Sequence, residues 1–226
     1  MTANVLHSSA SSQWFTPPEI IAVVRGVLGR IDLDPCSCAL ANQIVGAGRF
    51  YDGAEMGSGL DLAWVAPTVF WNPPYSKKDG GPVDAWVTRE IQAFEADHFD
   101  HGIGLLNATP GTAWFSKLWA FDVGFLRERI EFLEPTTQFL ERLREKKKWE
   151  PWAPGVMADP ELVADLAARH GRIEEFPGLV RGPAPSHANA LVLQTHDRRV
   201  VERFNQALAA HADIVPAGTV RPMREP

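Results

Sequence analysis

Two cysteines, two tyrosines and no long apolar run are the scarcities that bound this chain of 226 residues. Cys36 and Cys38 are separated by one residue, a poor spacing for an unstrained disulfide, and no Cys or His cluster near them completes a zinc set. They read as small packing residues in a loop, with neither a staple nor a metal implied. No apolar segment approaches the roughly 20 residues of a membrane span. The opening Met1-Thr2-Ala3-Asn4 lacks a basic region followed by an apolar one, so no export signal is read and the expected compartment is the cytoplasm. Positive charge is also short, with 22 Lys and Arg against 28 Asp and Glu, a formal net charge of −6. That excludes a surface coated in cations for nonspecific nucleic-acid binding, and any phosphate contact must come from a local patch. No internal repeat is apparent.

What is present fits one soluble domain with a substantial core: hydrophobic residues are 45% and charged residues 22%. Chemistry is declared most plainly at Trp71-Asn72-Pro73-Pro74-Tyr75. The preceding Val65-Ala66-Pro67-Thr68-Val69-Phe70 predicts a short buried strand ending in a polar loop, and strand ends in open α/β sheets are where ligands bind. Pro73 and Pro74 fix φ and remove two backbone donors, which leaves rigid carbonyl acceptors. The Asn72 side-chain oxygen and the Pro73 carbonyl can then both accept from one planar amino group, drawing its nitrogen out of conjugation. Tyr75 offers a flat face for an extruded base, a contact worth roughly 1–3 kcal/mol. As a bare sequence, the same tetrapeptide is also an ordinary Pro-rich turn.

Upstream, Gln13-Trp14-Phe15-Thr16-Pro17-Pro18-Glu19 precedes Ile20, Ile21, Val23, Val24, Val27 and Leu28, spaced for the buried face of a helix. Thr16 is the expected N-cap, with Pro17 at the first helical position and Glu19 completing a capping box. Gly29 ends that helix, and Ile31-Asp32-Leu33-Asp34 alternates as a first strand would. Asp52 closes a second short apolar segment about eighteen residues after Asp34, where nucleoside-binding α/β folds place an acid for ribose hydroxyls. Asp61 is its rival, for the adenine end of a ligand or the site floor. Strand and helix alternate onward: a helix from Pro82 to Asp97, a strand Gly102 to Asn107, a helix opened by Thr109 and Pro110, a strand Asn189 to Thr195 and a final helix from Arg198 to about Ala210. The alternation predicts an α/β fold with a mostly parallel sheet.

Residues 134–185 break this rhythm, being long, polar and irregular with a helix near Pro160 to His170. They carry Lys146, Lys147, Lys148 and Trp149. Cations hold phosphates and indoles stack or wedge, so this insertion is the expected DNA-recognition region. Glu141, Glu145 and Glu150 dilute it, as they would a solvated helix face. Lys77 and Lys78, directly after the tetrapeptide, are further candidates for phosphate contact or for a lid.

Three motifs in order, Phe15-Thr16-Pro17-Pro18, Asp34-Pro35-Cys36 and Asn72-Pro73-Pro74-Tyr75, resemble the phage-type DNA N-6-adenine methyltransferases, amino-methyltransferases whose motif is [DNS]-P-P-[YFW]. Arg127 to Phe132 and Pro185 to Asn189 also look like stretches of that family. The resemblance implies a single Rossmann-like methyltransferase domain over 1–226, its core formed by 13–133 and 186–214 with an antiparallel sheet edge and the insertion at 134–185. It implies S-adenosylmethionine as cofactor, held by Phe15, Thr16, Pro17, Asp34 (at the amino group), Pro35, Cys36, Asp52 and Asp61, DNA as partner, no metal, and a bacterial host cytoplasm. Asn72, Pro73, Pro74 and Tyr75 would be catalytic. The chain departs from the family's relatives in lacking a G-x-G turn after Asp34-Pro35. Cytosine N-4 methylation and protein glutamine methylation use the same loop chemistry, and a catalytically inactive DNA-binding module would keep the fold; intact Asn72 and Tyr75 argue against the last.

Overall fold

The structure, a computed structural model, describes residues 14–53, 57–75, 82–145, 178–182 and 187–220. In chain order the elements are α1 (Pro18–Leu28), β1 (Leu33–Asp34), α2 (Ala39–Val45), β2 (Arg49–Phe50), β3 (Thr68–Trp71), α3 (Val83–Glu95), β4 (His101–Asn107), α4 (Ala113–Ser116), β5 (Asp122–Leu126), β6 (Leu133–Pro135), α5 (Thr136–Glu145), β7 (Leu179–Arg181), β8 (Asn189–Thr195), α6 (Arg198–Leu208) and β9 (Ala212–Val215). A 3-10 turn over Lys117–Ala120 follows α4.

Seven strands form one sheet in the order β2-β1-β3-β4-β8-β5-β9. β2, β1, β3 and β4 pair in parallel; β8 runs against both β4 and β5, and β9 runs against β5. Five strands thus share one direction. Alternation along each strand sends side chains to opposite faces, and both faces are covered. On one, Phe70, Ile103, Leu105, Leu191 and Leu193 meet Val24 and Val27 of α1, Ile44 of α2 and Phe204 of α6. On the other, Val69, Trp71, Leu106 and Val192 meet Trp86, Val87 and Phe94 of α3 and Phe115 of α4. Trp64 and Trp71, both fully buried, lie 5.9 Å apart and Trp86 packs 6.4 Å from Trp64, so an aromatic block fills the space under the end of β3. Gly104 sits opposite Trp71 in the β3/β4 register, and a Cβ there would run into the indole.

The antiparallel edge expected of the last strands is made by β5, β9 and β8, the last being the Asn189 to Thr195 strand, which lies between β4 and β5. Its run of six buried residues, Asn189 to Gln194, suits that interior place. Two sequence expectations are corrected. Thr16 does not cap α1: Pro17 is the N-cap, without a side-chain bond, and its carbonyl accepts from the Ile20 and Ile21 amides. Pro18 has no amide to satisfy, so one of the usual reasons for a polar cap is absent. The helix expected to open at Thr109 opens instead at Ala113, capped by Thr112, whose hydroxyl accepts from the Phe115 amide.

The start of the 134–185 stretch is ordered rather than irregular, since Thr136–Glu145 is helical and Phe139 is buried. β6 and β7, its two ends, pair with each other and not with the main sheet. Residues 146–177 and 183–186 lie outside the described residues, and so does the helix expected near Pro160.

Candidate active site

In the strand order, β1 lies between β2 and β3, so the connection from β1 to β2 and the connection from β3 to β4 run in opposite directions. Such a switch point opens a crevice at the carboxyl ends of the two strands. Asp34 is the last residue of β1, and Asn72 directly follows β3.

At the β1 side, Asp34 is 3% exposed, and its Oδ1 accepts from the Cys36 amide at 3.0 Å, closing a tight turn through Pro35. Burial raises the Asp34 carboxyl to about 7, with that amide working in the opposite direction. Burial, then the charge of Asp34, pushes the Cys36 thiol well up, so it stays a neutral thiol. Cys38 caps α2, its Sγ accepting from the Ala41 amide at 3.4 Å. The loop of residues 57–62 packs against this turn. A Cβ on Gly59 would collide with the Pro35 carbonyl, and the Trp64 indole N–H donates to the Gly59 carbonyl at 2.6 Å. Gly59 therefore lets the backbone of residues 57–62 come close to the Asp34-Pro35-Cys36 turn.

Asp52 follows β2, half-buried, and its charge reaches the Cys38 thiol along with that of Asp34, so these acids flank one loop. Asp61 lies in an exposed turn whose amide donates to the Ser58 carbonyl.

At the β3 side, Asn72 is half-buried, Pro73 buried and Tyr75 39% exposed. Asn72 Nδ2 donates to Thr16 Oγ1 at 3.1 Å, across 56 residues of sequence. The amide nitrogen is thus committed, while Oδ1 accepts from no group among the described residues. The Tyr75 hydroxyl accepts from the Asn107 amide at the end of β4, at 2.5 Å. The phenol tip is therefore fastened while the ring stands open to solvent, and burial of that tip raises its pKa. Beside it, Asn189 Nδ2 donates to Asn107 Oδ1 at 3.4 Å.

The Phe15-Thr16 segment is held from the opposite direction. Phe15 exchanges two backbone bonds with Leu133, at 2.7 and 2.9 Å, and Arg181 of β7 grips Glu19 through both its terminal nitrogens, at 2.6 and 3.0 Å. Gly182 lies against the Trp14 ring, too close for a Cβ. Both ends of the 134–185 stretch therefore brace the segment that carries Thr16.

One edge of the sheet thus brings together Thr16, Asp34, Asn72, Tyr75, Asn107 and Asn189. Asn107 and Gly59 were not singled out in the sequence. Asn107 acts at Tyr75 through its backbone, which no residue type announces, although its place at a strand end was legible. Lys77, Lys78, Lys146, Lys147, Lys148 and Trp149 lie outside the described residues. A depression bounded by Phe99, His101 and His196 sits at the opposite edge, where β4 begins and β8 has just ended, and holds none of the six groups. Among the described residues, no helix is long and apolar enough to cross a membrane, and no three His, Cys, Asp or Glu gather as metal ligands.

A protein described as a DNA N-6-adenine-methyltransferase from Escherichia phage T1 is 32% identical over 105 residues, 46% of this chain and 39% of that protein, so the match spans well under half of the relative. Residues 4–147, more than half of the chain and including all three motifs, match the family DNA N-6-adenine-methyltransferase (Dam). The chain belongs to that family.

Proposed function

We propose that this chain is an S-adenosylmethionine-dependent enzyme that methylates the exocyclic N-6 amine of adenine in DNA, on a Rossmann-like methyltransferase sheet. The observation that carries this reading is the Asn72 amide. It stands at the switch-point crevice, tied by its nitrogen end and with its oxygen uncommitted among the described residues.

The crevice fits the cofactor. Asp34 is a buried acid with one oxygen engaged by Cys36, and a buried carboxyl raised to about 7 is a poor resident of a core but a good partner for an amino group. Phe15, Thr16, Pro17, Asp34, Pro35 and Cys36 would hold the cofactor, Asp52 would take the ribose, and Asp61 is a weaker candidate on its exposed turn. When bound, S-adenosylmethionine supplies a methyl group activated by its sulfonium.

The acceptor base cannot be reached inside a duplex and is flipped out, at a cost of a few kcal/mol. Asn72 Oδ1 and the Pro73 carbonyl accept from its amino group and hold the nitrogen lone pair out of conjugation. Tyr75 stacks on the ring, and its fastened hydroxyl keeps the ring from swinging away. The nitrogen would bond to the methyl carbon as the sulfur–methyl bond breaks and the sulfur leaves as a neutral thioether, and would then lose one proton to solvent, so no general base has to act before transfer. The residues contribute alignment and polarisation. The 134–185 stretch, with Lys146, Lys147, Lys148 and Trp149, is the proposed DNA-recognition region, Lys77 and Lys78 adding phosphate contacts; the host cytoplasm is the expected setting.

The test is transfer of a labelled methyl group from S-adenosylmethionine to DNA, RNA or a protein extract. Label in DNA alone supports the reading; label in protein glutamine instead would replace it.

A further inference from the structure

We infer that Arg129 holds a backbone phosphate of the DNA strand that carries the target base. The inference rests on the reading of this edge of the sheet as a DNA methyltransferase site. Most of the described cations are already engaged. Among the arginines and lysines whose side chains are described, each is paired with a carboxylate or a carbonyl oxygen except two, Arg129 and Arg199. Both are exposed, and their guanidinium groups meet no partner among the described residues.

Topology separates the two. β5 is antiparallel to β8 and β8 to β4, so β5 and β4 run in the same direction. Phe125 and Leu106 both pair with Ala190, which brings the end of β5 level with Asn107. The residues after Leu126 therefore leave the sheet at the edge that carries Asp34, Asn72 and Tyr75. Arg199 follows β8, whose direction is reversed, and lies at the opposite edge.

From β5 the chain crosses the site edge. The crossing starts with the Arg127 amide bonded to the His211 carbonyl at 2.9 Å and ends at Leu133, which exchanges two backbone bonds with Phe15. Thr16, next in the chain, touches Asn72 beyond β3. β5 and β3 are three strand positions apart, a distance of about 14 Å, and Arg129 lies part of the way along. Its main chain is held on both sides: Leu126 and Ile130 are buried, and the Phe132 carbonyl accepts from the Gly182 amide at 2.8 Å. A braced backbone thus presents an unspent guanidinium beside the place of the flipped base, whose strand brings its phosphates past this edge. The planar fork of arginine fits two phosphate oxygens at once. Arg127 is not its equal, because Asp213 neutralises it at 2.8 Å. Glu128 is exposed and works against the contact, so this is a single cation and not a basic patch.

The test measures equilibrium binding to two short duplexes of unrelated sequence, over a salt series and with S-adenosylhomocysteine present. Arg129→Ala should weaken binding by about tenfold on both duplexes alike and reduce the salt slope by about 1. Its calorimetric affinity for S-adenosylhomocysteine should stay at the wild-type value, which checks that it folds. Arg129→Lys should keep the slope and lose part of the affinity. Glu128→Gln should tighten binding by up to about fivefold, and Arg199→Ala should change neither affinity nor slope. An Arg129→Ala protein with wild-type affinity and slope overturns the inference and leaves the parent reading standing. So does an equal loss in Arg199→Ala, which would make the effect one of net charge, or a loss confined to one duplex, the mark of base readout. A wild-type protein that binds neither duplex and methylates no DNA overturns both.

Discussion

The Asn107 backbone amide donates to the Tyr75 hydroxyl at 2.5 Å, so the last residue of β4 holds the outer end of the loop that follows β3. The contact separates two jobs of one side chain. Tyr75→Phe keeps the ring and frees its tip, and should lower kcat/KM on DNA several-fold with little loss of stability. Tyr75→Ala removes the stacking face as well, a contact worth roughly 1–3 kcal/mol, and should lower kcat/KM by a further factor of about 5 to 150. Steady-state kinetics on one duplex checks both; equal defects in the two variants would mean that the ring face takes no part.

Asp34 links the site to pH. Its carboxyl lies at about 7 in the folded protein against an ordinary 3.8, so the folded state keeps a proton that the unfolded chain has already released. The stability contributed by this group is full below about pH 4 and is lost as pH rises through about 7, a change on the order of 4 kcal/mol. Glu90, buried in α3 with no hydrogen-bond partner among the described residues, is raised by burial and acts in the same sense, so the informative quantity is a difference between proteins. Asp34→Asn should raise the melting temperature of the cofactor-free protein at pH 8, leave it nearly unchanged at pH 4.5, and weaken S-adenosylmethionine binding. Parallel melting curves across pH for the two proteins would refute the burial argument.

Gly59 tests the backbone that supports Asp34. A methyl group there meets the Pro35 carbonyl, and Trp86 lies 2.9 Å away on the other flank, so relief requires main-chain movement. Gly59→Ala should cost about 1–3 kcal/mol by overpacking and weaken cofactor binding more than Gly111→Ala, where a Cβ meets nothing within 4 Å. Denaturant melts and cofactor titrations of the pair decide it.

Much of this architecture was legible. Apolar runs marked β3, β4 and β8 because each is buried on both faces, and the loop after β3 was readable because two successive prolines cannot continue a central strand. Pairing order was not legible. Placing β8 between β4 and β5 is decided by residues far apart in sequence, and β9, half-exposed at the edge, has too weak an alternation to announce itself. Thr16 was misread as a cap for the same reason: a local rule assigns its hydroxyl to the next turn, whereas its partner is Asn72. The glycine beside Asp34-Pro35 was missed because it comes from residue 59, not from the turn itself.

The cluster Lys146, Lys147, Lys148 and Trp149 carries a prediction of its own on charge grounds. Removing one lysine from a phosphate should reduce the salt slope of DNA binding by about 1. Reversing the charge of all three lysines should therefore weaken binding at low salt and flatten its salt dependence. Binding unchanged across a salt series would remove this segment from recognition.

The most direct measurement digests methylated DNA to nucleosides after reaction with wild-type protein and with Asn72→Ala. The account predicts N6-methyladenine with the wild type and none above background with Asn72→Ala, whose affinity for S-adenosylhomocysteine stays near that of the wild type. N4-methylcytosine as the product, or N6-methyladenine formed by Asn72→Ala at the wild-type rate, would contradict it.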